Sequence, residues 1–478
     1  MATNSSKDPI ARWYFENASA ERVSTDTALV TRLEHLYPNK HITVVPEASC
    51  NFFAYASSGN ITITPDNDNI THSGPLEWEI YVPPASRLDG GSGQLGKKVI
   101  FGKYNLAWGD YKFILYIVEG RDGTQSYPAI RNNYIVSETA NSTSSLILAA
   151  GIYGVALHGE IWVFDQGYWQ KDAQLWQSIQ KSRWEDVILD AEMKKAIIGD
   201  VTRFFDGRAT YERLKVPWKR GVIYHGPPGN GKTISIKATM HMLYDRKDPI
   251  PTLYVKTLAS FAGPESSLNS IFSKARATAP CYLVFEDLDS LVDDRVRSFF
   301  LNQVDGLNRN DGILMVGSTN HLDRLDPGIS KRPSRFDRKY LFPNPNLAER
   351  VLYAEFWRSK LRRGEGSGED AGKDPVEFPE ELCKAIAGIT KGFSFAYMQE
   401  AFVAALLAIA VDEGGRDGEE LLQDFEFVTV GETSPEDGDG DGGDEEDLDK
   451  YVLWREIKRQ IKILREDIDD SDDTAQSE

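Results

Sequence analysis

Residues Gly226-Pro-Pro-Gly-Asn-Gly-Lys-Thr233 decide the fold, because they connect a hydrophobic run to the start of a predicted helix. The run Gly221–Tyr224 precedes them, and the segment Ile234–Met240 follows. Glycines in such a turn let backbone N–H groups converge on phosphate oxygens, and the helix N-terminus adds partial positive charge. A chance glycine turn would not explain the full spacing together with its strand and helix. The sequence therefore predicts a loop that binds a nucleoside triphosphate.

Two side chains of this loop have predicted roles of their own. Lys232 is expected to reach the β- and γ-phosphates, and Thr233 to offer its hydroxyl to Mg²⁺. ATP and Mg²⁺ are thus the predicted cofactors. The loop residues predicted to bind ATP are Gly226, Pro227, Pro228, Gly229, Asn230, Gly231, Lys232, Thr233 and Ile234.

The negative charge of the chain is concentrated at one end. The formal net charge is −19 over 478 residues. Residues 412–478 contain 25 Asp and Glu against 7 Lys and Arg, so they carry −18 and residues 1–411 carry only −1. A broad basic surface for nucleic acid is therefore not predicted.

Cysteine usage and hydropathy bear on the compartment. Cys50, Cys281 and Cys383 are scattered without metal-ligand or disulfide spacing, which favours a reducing environment. No apolar run reaches the roughly 20 residues of a membrane span. The nearest candidate, Leu146–Leu157, is predicted to be a buried helix. We expect an intracellular soluble protein, cytoplasmic or nuclear.

The chain is predicted to contain an α/β P-loop NTPase core with a parallel sheet, a small helical domain after it, and a strand-rich α+β domain before it. The predicted strands of the first domain are His41–Val45, Asn60–Thr64, Leu76–Val82, Lys97–Phe101, Tyr111–Val118 and Glu160–Phe164, with a helix at Ser142–His158. Core strands are predicted at 221–224, 252–256, 281–285, 313–318 and 339–342. The predicted regions are 1–175 (a domain for a client or adaptor), 184–344 (large ATPase subdomain), 345–425 (small helical subdomain), 426–449 (acidic disordered linker) and 450–468 (amphipathic helix).

The last helix is predicted from spacing alone. Tyr451, Trp454, Ile457 and Ile461 recur every three or four residues and form one apolar face. Such a face is expected to dock on its own domain or on a neighbouring subunit. The acidic linker before it is predicted to solubilise the chain, with autoinhibition as the alternative.

A run of carboxylates follows another apolar strand. Glu286, Asp287 and Asp289 come directly after Cys281–Phe285. In doubly wound folds, residues at the carboxyl end of such a strand lie beside the phosphate loop. ATP hydrolysis needs a carboxylate for Mg²⁺ and a group that orients the attacking water. This run is the candidate for both, whereas a surface cap on the strand is the alternative.

Polar and basic residues follow the next strand. Asn320 is placed where an amide could hold the water or the γ-phosphate. Arg332 and Arg335 lie three residues apart in Arg-Pro-Ser-Arg-Phe-Asp-Arg338. Guanidinium groups suit delocalised phosphate charge because they stay ionised and donate in a fork.

These motifs occur in one order and together closely resemble the AAA ATPase family. The resemblance covers roughly Trp184–Asp412 and includes Asn302-Gln-Val-Asp-Gly-Leu307 and Leu325-Asp-Pro327. Within the family, Asp186–Asp190 and Val216–Tyr224 are most similar to the branch with the mitochondrial chaperone for cytochrome bc complex assembly. The membrane anchor of that chaperone has no counterpart here.

The resemblance implies a role for each matching residue. Glu286 would hold Mg²⁺ together with Thr233, and Asp287 would polarise water. Asn320 would be a sensor of the γ-phosphate. Arg332 and Arg335 would reach the ATP of a neighbouring subunit in a ring, usually a hexamer. Val187 and Ile188 would pack against adenine.

Two departures from the family pattern affect these roles. Most relatives have Asp then Glu where this chain has Glu286 then Asp287, and a catalytic Asp is one methylene shorter. Active hydrolysis is the leading interpretation, and a weak or inactive nucleotide switch is the alternative. At the nucleotide contact expected of the small domain, Gly392-Phe-Ser-Phe-Ala396 stands where many relatives have Ser-Gly-Ala, and Phe395 is the additional residue.

The substrate end is predicted from a short loop after the second core strand. Phe261, Ala262 and Gly263 fall where translocating relatives present an aromatic-hydrophobic-Gly pore loop. The alternative is a core-facing residue at the start of a helix. We therefore expect an ATPase that remodels or translocates a protein client. A nucleotide-dependent assembly scaffold and a nucleic-acid-acting machine are the alternatives.

Overall fold

The computed structural model describes residues 24–66, 75–84, 92–120, 130–305, 309–332, 335–364, 376–413 and 448–475. The chain divides into two compact units, with the boundary between His158 and Gly159.

The first unit is built on an antiparallel sheet with strand order β1-β6-β5-β4-β2, and β3 pairs with β4. Its described strands are β1 (His41–Pro46), β2 (Thr62–Pro65), β3 (Leu76–Val82), β4 (Gln94–Trp108), β5 (Tyr111–Gly120) and β6 (Ile130–Ser137). Its described helices are α1 (Thr25–Leu36), α2 (Phe52–Ser57) and α3 (Ala140–Val155).

Alternation along β5 explains how this sheet is covered on both faces. Leu115 and Ile117 point into a core shared with α2 and α3. Tyr116 and Val118 point to the opposite face, where Leu33 of α1 covers them. Successive strand residues face opposite sides of a sheet, so one strand serves two cores.

Most predicted elements of this unit are confirmed, with one correction to the helix α3. Leu146 and Ala150 are buried, whereas Leu148, Ile152 and Val155 are 64–71% exposed. The prediction that Leu146–Leu157 forms a buried helix is therefore wrong for one face. The apolar run continues all round the helix, but the sheet covers only one side of it.

The second unit contains a seven-stranded sheet with strand order β13-β9-β12-β11-β10-β7-β8. All neighbours are parallel except the β7–β8 hairpin. The strands are β7 (Ile161–Asp165), β8 (Tyr168–Asp172), β9 (Lys219–His225), β10 (Thr252–Val255), β11 (Cys281–Phe285), β12 (Ile313–Thr319) and β13 (Arg338–Leu341). The predicted fold class, a P-loop parallel sheet with a helical part and a strand-rich first unit, is confirmed.

The first domain ends earlier than predicted. The strand predicted at Glu160–Phe164 is β7, and it pairs with β10 of the second unit. The segment 159–175, which we predicted to belong to the first domain, therefore extends the sheet of the second. A short apolar run does not reveal which sheet it joins, because strand pairing is set by distant residues.

Two layers of helices cover the faces of this sheet and form separate cores. Its described helices are α4 (Ala173–Gln180), α5 (Ala191–Asp206), α6 (Arg208–Leu214), α7 (Lys232–Tyr244), α8 (Pro264–Thr278), α9 (Leu288–Leu291), α10 (Arg297–Asp305) and α11 (Pro327–Ser330).

A buried carboxylate fixes α5 to the sheet. The side chain of Asp200 is only 5% exposed. It accepts from Nε of Arg338 at 2.9 Å and from the hydroxyl of Tyr340 at 2.6 Å. Arg203 donates to its other oxygen at 2.7 Å, and Arg220 lies 3.8 Å away. Burial alone would raise the pKa of this carboxyl, but these donors hold it below its usual value.

A helical subdomain completes the second unit, with α12 (Leu347–Gly364), α13 (Glu380–Ile389), α14 (Phe395–Glu413) and α15 (Val452–Ala475). Leu453, Trp454, Ile457 and Ile461 of α15 are buried in one cluster with α13 and α14. The terminal helix thus docks on its own domain, which is the first of the two predicted alternatives. The acidic segment 426–449 was predicted to be disordered. Its residues 426–447 lie outside the part of the chain that the structure describes. Among the described helices, none is long and apolar enough to cross a bilayer.

Candidate nucleotide site

The phosphate-binding loop lies between β9 and α7, as predicted, and close packing explains its glycines. A Cβ on Gly226 would lie 2.2 Å from the carbonyl oxygen of Phe342, and its φ of +138° also disfavours a side chain. A Cβ on Gly229 would lie 2.4 Å from the Cβ of Ala396 in the helical subdomain. The backbone N–H of Ala396 donates to the Gly229 carbonyl at 3.2 Å. The loop therefore touches both subdomains directly.

Lys232 begins α7 with its ammonium group folded back over the loop. Its Nζ donates to the carbonyls of Gly226 at 2.7 Å and Pro227 at 2.8 Å. Burial lowers the pKa of Lys232, while the charges of Asp287 and Asp289 act in the opposite direction. A desolvated ammonium at this position is well suited to a phosphate, because the anion restores the lost electrostatic stabilisation.

A cleft of about 720 Å³ opens beside this loop and is large enough for a nucleotide. It brings together ten of the residues predicted from the sequence. They are Val187, Ile188, Pro228, Gly229, Gly231, Lys232, Thr233, Ile234, Asp287 and Asn320.

The remaining predicted residues stand behind or outside this lining. Gly226 and Pro227 supply the carbonyls that hold Lys232. Asn230 is buried, and its Nδ2 donates to Oδ1 of Asn344 at 2.8 Å. These three residues shape the loop rather than line the cleft.

The cleft also has a wall that the motifs did not predict. Tyr353 and Phe356 of α12 line it with Phe395 and Gln399 of α14. The ring centroids of Tyr353 and Phe395 are 5.1 Å apart, and those of Tyr353 and Phe356 are 6.2 Å apart. This aromatic wall and the segment Val187–Ile188 supply apolar surface that suits a planar base.

Lys181, Ser182, Asp186 and Ser318 also line the cleft without having been predicted as site residues. Ala396, from the segment expected to be the nucleotide contact of the small domain, lines it as well. Sequence reasoning assigned no role to the aromatic residues of α12, since aromatics at helical spacing usually form core. Phe395 was the one signal available, as a departure from the family pattern.

The two carboxylates that follow β11, those of Glu286 and Asp287, lie in different environments. Glu286 accepts from the hydroxyl of Tyr254 at 2.5 Å, and its other oxygen is buried without a hydrogen-bond partner among the described residues. The neighbouring charge of Glu286 adds to burial in raising the pKa of Tyr254, so this phenol stays a donor. Asp287 is exposed and lines the cleft.

Asp287 has a left-handed backbone, with φ +50° and ψ +55°. This conformation is uncommon for a residue other than glycine, and it is found preferentially at functional sites. The N–H of Asp287 donates to Oγ of Ser318 at 3.2 Å, and Thr319 donates to Asp289 at 2.7 Å. These bonds tie the end of β11 to the end of β12, which brings Asn320 to the same cleft.

These oxygen atoms fit the predicted magnesium ion. Mg²⁺ prefers one or two carboxylates together with phosphate oxygens and water. The unpartnered buried oxygen of Glu286 is a donor of this kind, and Thr233 and Asp287 line the neighbouring cleft. The donor set is therefore compatible with the ion.

The two arginines predicted to act on a neighbouring subunit differ sharply. Arg332 is exposed. Arg335 is 9% exposed and is held inside its own subunit by Asp305 and Gly328. This contact disagrees with the prediction that Arg335 reaches outwards. The motif predicts the same role for both arginines. The partners on α10 and α11, which lie outside the motif, hold the side chain of Arg335 within its own subunit.

The predicted pore loop is a surface feature. Phe261 is 107% exposed, so the alternative of a core-facing residue is wrong. Helix α8 begins three residues later with Pro264 at its first turn. Gly263 has φ +86° in the turn between them. Phe261 therefore presents its ring to solvent at the edge of the sheet where β10 ends.

Comparison with known proteins agrees with this geometry. The family model described as "ATPase family associated with various cellular activities (AAA)" matches residues 222–344. The chain contains an AAA ATPase domain. The match spans the phosphate-binding loop, the acidic strand end, Asn320 and both arginines.

Two curated relatives are similar to part of the chain. The chain is 33% identical over 171 residues to the ribosome biogenesis ATPase RIX7 of Saccharomyces cerevisiae, over 34% of this chain and 20% of that protein. It is 28% identical over 212 residues to the ATPase histone chaperone abo1 of Schizosaccharomyces pombe, over 41% of this chain and 17% of that protein. The chain thus spans at most about a fifth of the length of these relatives.

Proposed function

We propose that this chain is a ring-forming AAA ATPase that couples ATP hydrolysis to the remodelling or translocation of a protein client. The observation that supports the proposal is the combination of a nucleotide-sized cleft beside the phosphate-binding loop with a fully exposed phenylalanine. Phe261 lies in the loop after β10, the strand next to the one that ends in Glu286 and Asp287. A movement of Glu286 or Asp287 would therefore reach the loop of Phe261 through one neighbouring strand.

The nucleotide would be held from both subdomains. Its phosphates would lie against the loop N–H groups and Lys232, and its base between Val187–Ile188 and the aromatic wall. Because Ala396 bonds to Gly229, occupation of the cleft would bias the angle between sheet and helical subdomain. The domain would switch between two states by a change in this angle.

Hydrolysis would use the two carboxylates in different ways. Mg²⁺, when bound, would supply positive charge that neutralises the phosphates. Glu286, fixed by Tyr254, would hold that ion from the protein side. Asp287 would accept a proton from the attacking water, and Asn320 would orient the water or sense the γ-phosphate. Arg332 would supply positive charge to the cleft of the next subunit.

The N-terminal unit would recruit the client. We also propose, at a finer level, that the chain belongs with the branch that contains the cytochrome bc assembly chaperone. The sequence similarity of Asp186–Asp190 and Val216–Tyr224 supports that placement, and it implies nothing about the client.

A scaffold that binds ATP without hydrolysing it is the second candidate. The order Glu286-Asp287 favours it, because a shorter catalytic carboxylate displaced by about 1 Å can cost roughly 100-fold in rate. A nucleic-acid-acting machine is the third, and the balanced charge of residues 1–411 is against it.

ATP turnover against protein concentration, with mass photometry in parallel, tests the proposal. Wild type, Asp287→Asn and Arg332→Ala form the informative set. We expect turnover per chain to rise cooperatively as oligomers form, and to fall at least tenfold in both variants. Oligomers that bind ATP without releasing phosphate would instead identify the scaffold. A salt-sensitive affinity for DNA or RNA that rises with ATP would identify the third candidate.

A further inference from the structure

A hairpin turn lies against the loop that carries Phe261. Strands β7 and β10 are parallel neighbours, so their carboxyl ends meet at one edge of the sheet. The N–H of Lys256 donates to the carbonyl of Phe164 at 3.0 Å, which extends the pairing one residue beyond β10. The ammonium of Lys256 lies 3.2 Å from Asp165. The turn of the hairpin is thus attached to the start of the loop.

A second contact joins the turn of the hairpin to Ser260, the residue before Phe261. Gly167, with φ +92°, lies so close to Ser260 that an added Cβ would be 2.7 Å from the Ser260 Cβ. Ser260 donates to the Gly263 carbonyl at 2.9 Å and accepts from Ser267 of α8 at 2.9 Å. Helix α8 therefore holds Ser260 in place. The hairpin turn packs against this residue through Gly167.

The residues that follow these two contact points are both exposed aromatics. Tyr168 comes directly after Gly167 and is 75% exposed, and Phe261 comes directly after Ser260. The next residue of the hairpin behaves differently, since Trp169 packs edge-on against Phe164 with ring centroids 5.3 Å apart. The hairpin therefore buries one aromatic ring in the core and leaves the other beside the loop.

We propose that Tyr168 is a second client-contacting residue, which works together with Phe261 on an extended polypeptide that has apolar side chains. This proposal rests on the function proposed above. Two rings on separate but connected turns provide a broader apolar contact than one. Ring contacts also tolerate sequence variation in the bound chain, because they recognise apolar surface rather than a hydrogen-bond pattern.

The charges around these rings favour a polypeptide over a nucleic acid. Lys256 is paired with Asp165, and Lys171 is paired with Glu160 at 3.5 Å. Glu265, in the first turn of α8, is exposed. Single-stranded nucleic acid is bound by aromatic rings within a positively charged groove. The balanced charges here do not provide such a groove.

Binding of fluorescein-labelled β-casein, an unfolded polypeptide, tests the proposal in the full chain with a slowly hydrolysed ATP analogue. The variants are Tyr168→Ala, Tyr168→Phe and Phe261→Ala. Tyr111→Ala is the matched control, since Tyr111 follows another hairpin turn and is 54% exposed. Mass photometry of each variant measures its assembly.

We expect Tyr168→Ala and Phe261→Ala each to weaken casein binding by about fivefold or more, which is about the 1 kcal/mol that only a minority of interface residues exceed. Tyr168→Phe should bind within about twofold of wild type, because it keeps the ring. Tyr111→Ala should also bind as wild type does. An equal loss in Tyr111→Ala would mean that the effect is not specific to Tyr168, and would overturn the proposal.

The other outcomes separate this proposal from the function on which it rests. Weak binding by Phe261→Ala with normal binding by Tyr168→Ala would reject the role of Tyr168 and leave the client-handling function intact. Normal binding by both variants, or no binding of casein by wild type, would contradict the client-handling function as well. Dispersal of the assembly by Tyr168→Ala alone would make Tyr168 a contact between subunits. Displacement of casein by a single-stranded oligonucleotide would point to nucleic acid instead.

Discussion

Arg335 donates from Nε to Oδ2 of Asp305 at 2.6 Å, and its Nη1 donates to the carbonyl of Gly328 at 2.6 Å. Asp305 also lies 3.3 Å from the ammonium of Lys219 at the start of β9. The second arginine of the motif therefore joins α10, α11 and β9 within one subunit. Arg332, three residues earlier, is exposed, as the role proposed for it on a neighbouring subunit requires.

This difference predicts opposite phenotypes for the two arginines. Arg335→Ala should lower the free energy of unfolding by about 2 kcal/mol, because it removes the guanidinium that lies 2.6 Å from the half-buried Asp305. Arg332→Ala should change stability by less than about 0.5 kcal/mol, as exposed residues usually do, yet abolish most turnover. Urea unfolding and ATP turnover measured on both variants test this. A stable Arg335→Ala protein without turnover would contradict the assignment.

Removing the hydroxyl of Tyr254 should impair hydrolysis without impairing nucleotide binding. Tyr254→Phe deletes the hydrogen bond to Glu286 and leaves the packing of the ring in place. The loss of one bond to a charged group corresponds to about tenfold in turnover. The Mg²⁺ concentration for half-maximal turnover should rise as well, while the Kd for ATP should change little.

Tyr244→Phe is the control for Tyr254→Phe, because the Tyr244 hydroxyl contacts only the N–H of Thr252, at 3.4 Å, among the described residues. It should retain wild-type turnover. Equal losses in both variants would show that the sheet is merely destabilised.

The aromatic wall should contribute directly to nucleotide affinity. Phe395→Ala removes one face of the cleft, and we expect about tenfold weaker binding of both ATP and ADP, since the base is common to both. Tyr397→Ala is the control: Tyr397 is 39% exposed, packs on Phe393 and does not line the cleft. Titration with a fluorescent nucleotide measures both variants. Unchanged affinity in Phe395→Ala would place the base elsewhere.

Asp200 predicts a pH-dependent part of the stability. Its pKa is lower in the folded protein than in the unfolded chain, so its ionised form stabilises the fold above the unfolded value of about 3.9. That contribution is lost as the pH falls through the folded pKa. Asp200→Asn should cost about 2 kcal/mol at pH 7, less than for a fully buried pair because Arg203 and Arg338 are half exposed or more.

Thermal unfolding of wild type and Asp200→Asn between pH 3 and pH 7 measures this effect. The difference between the two proteins should shrink towards the acid end. A constant difference across the range would mean that the hydrogen bonds of Asp200 matter independently of its charge.

The phosphate loop, the acidic strand end and the strands around them were predictable because each is encoded in one short segment. The phosphate loop, the strand before it and the start of the helix after it lie within the 20 residues from Gly221 to Met240. The placement of β7 was not predictable in this way, since its partner β10 lies about 90 residues along the chain. Assignment of a short strand to one sheet or another depends on such distant pairing.

The same distinction applies to individual side chains. The role of Arg335 depends on Asp305, which stands 30 residues away in sequence. The aromatic wall depends on how α12 and α14 close over the phosphate loop, and aromatics on helices are usually core. The sequence identifies which residues can do chemistry, whereas the partners that hold or release them belong to the tertiary structure.

Helix α15 returns to the bundle that the chain left at the end of α14. The 34 residues between them, 414–447, contain 14 Asp and Glu and one Arg, a net charge of −13. The two helices that flank this segment are anchored in one hydrophobic cluster. The −13 charge is therefore linked to the helical subdomain through both α14 and α15, and we expect the stability of that subdomain to depend on ionic strength.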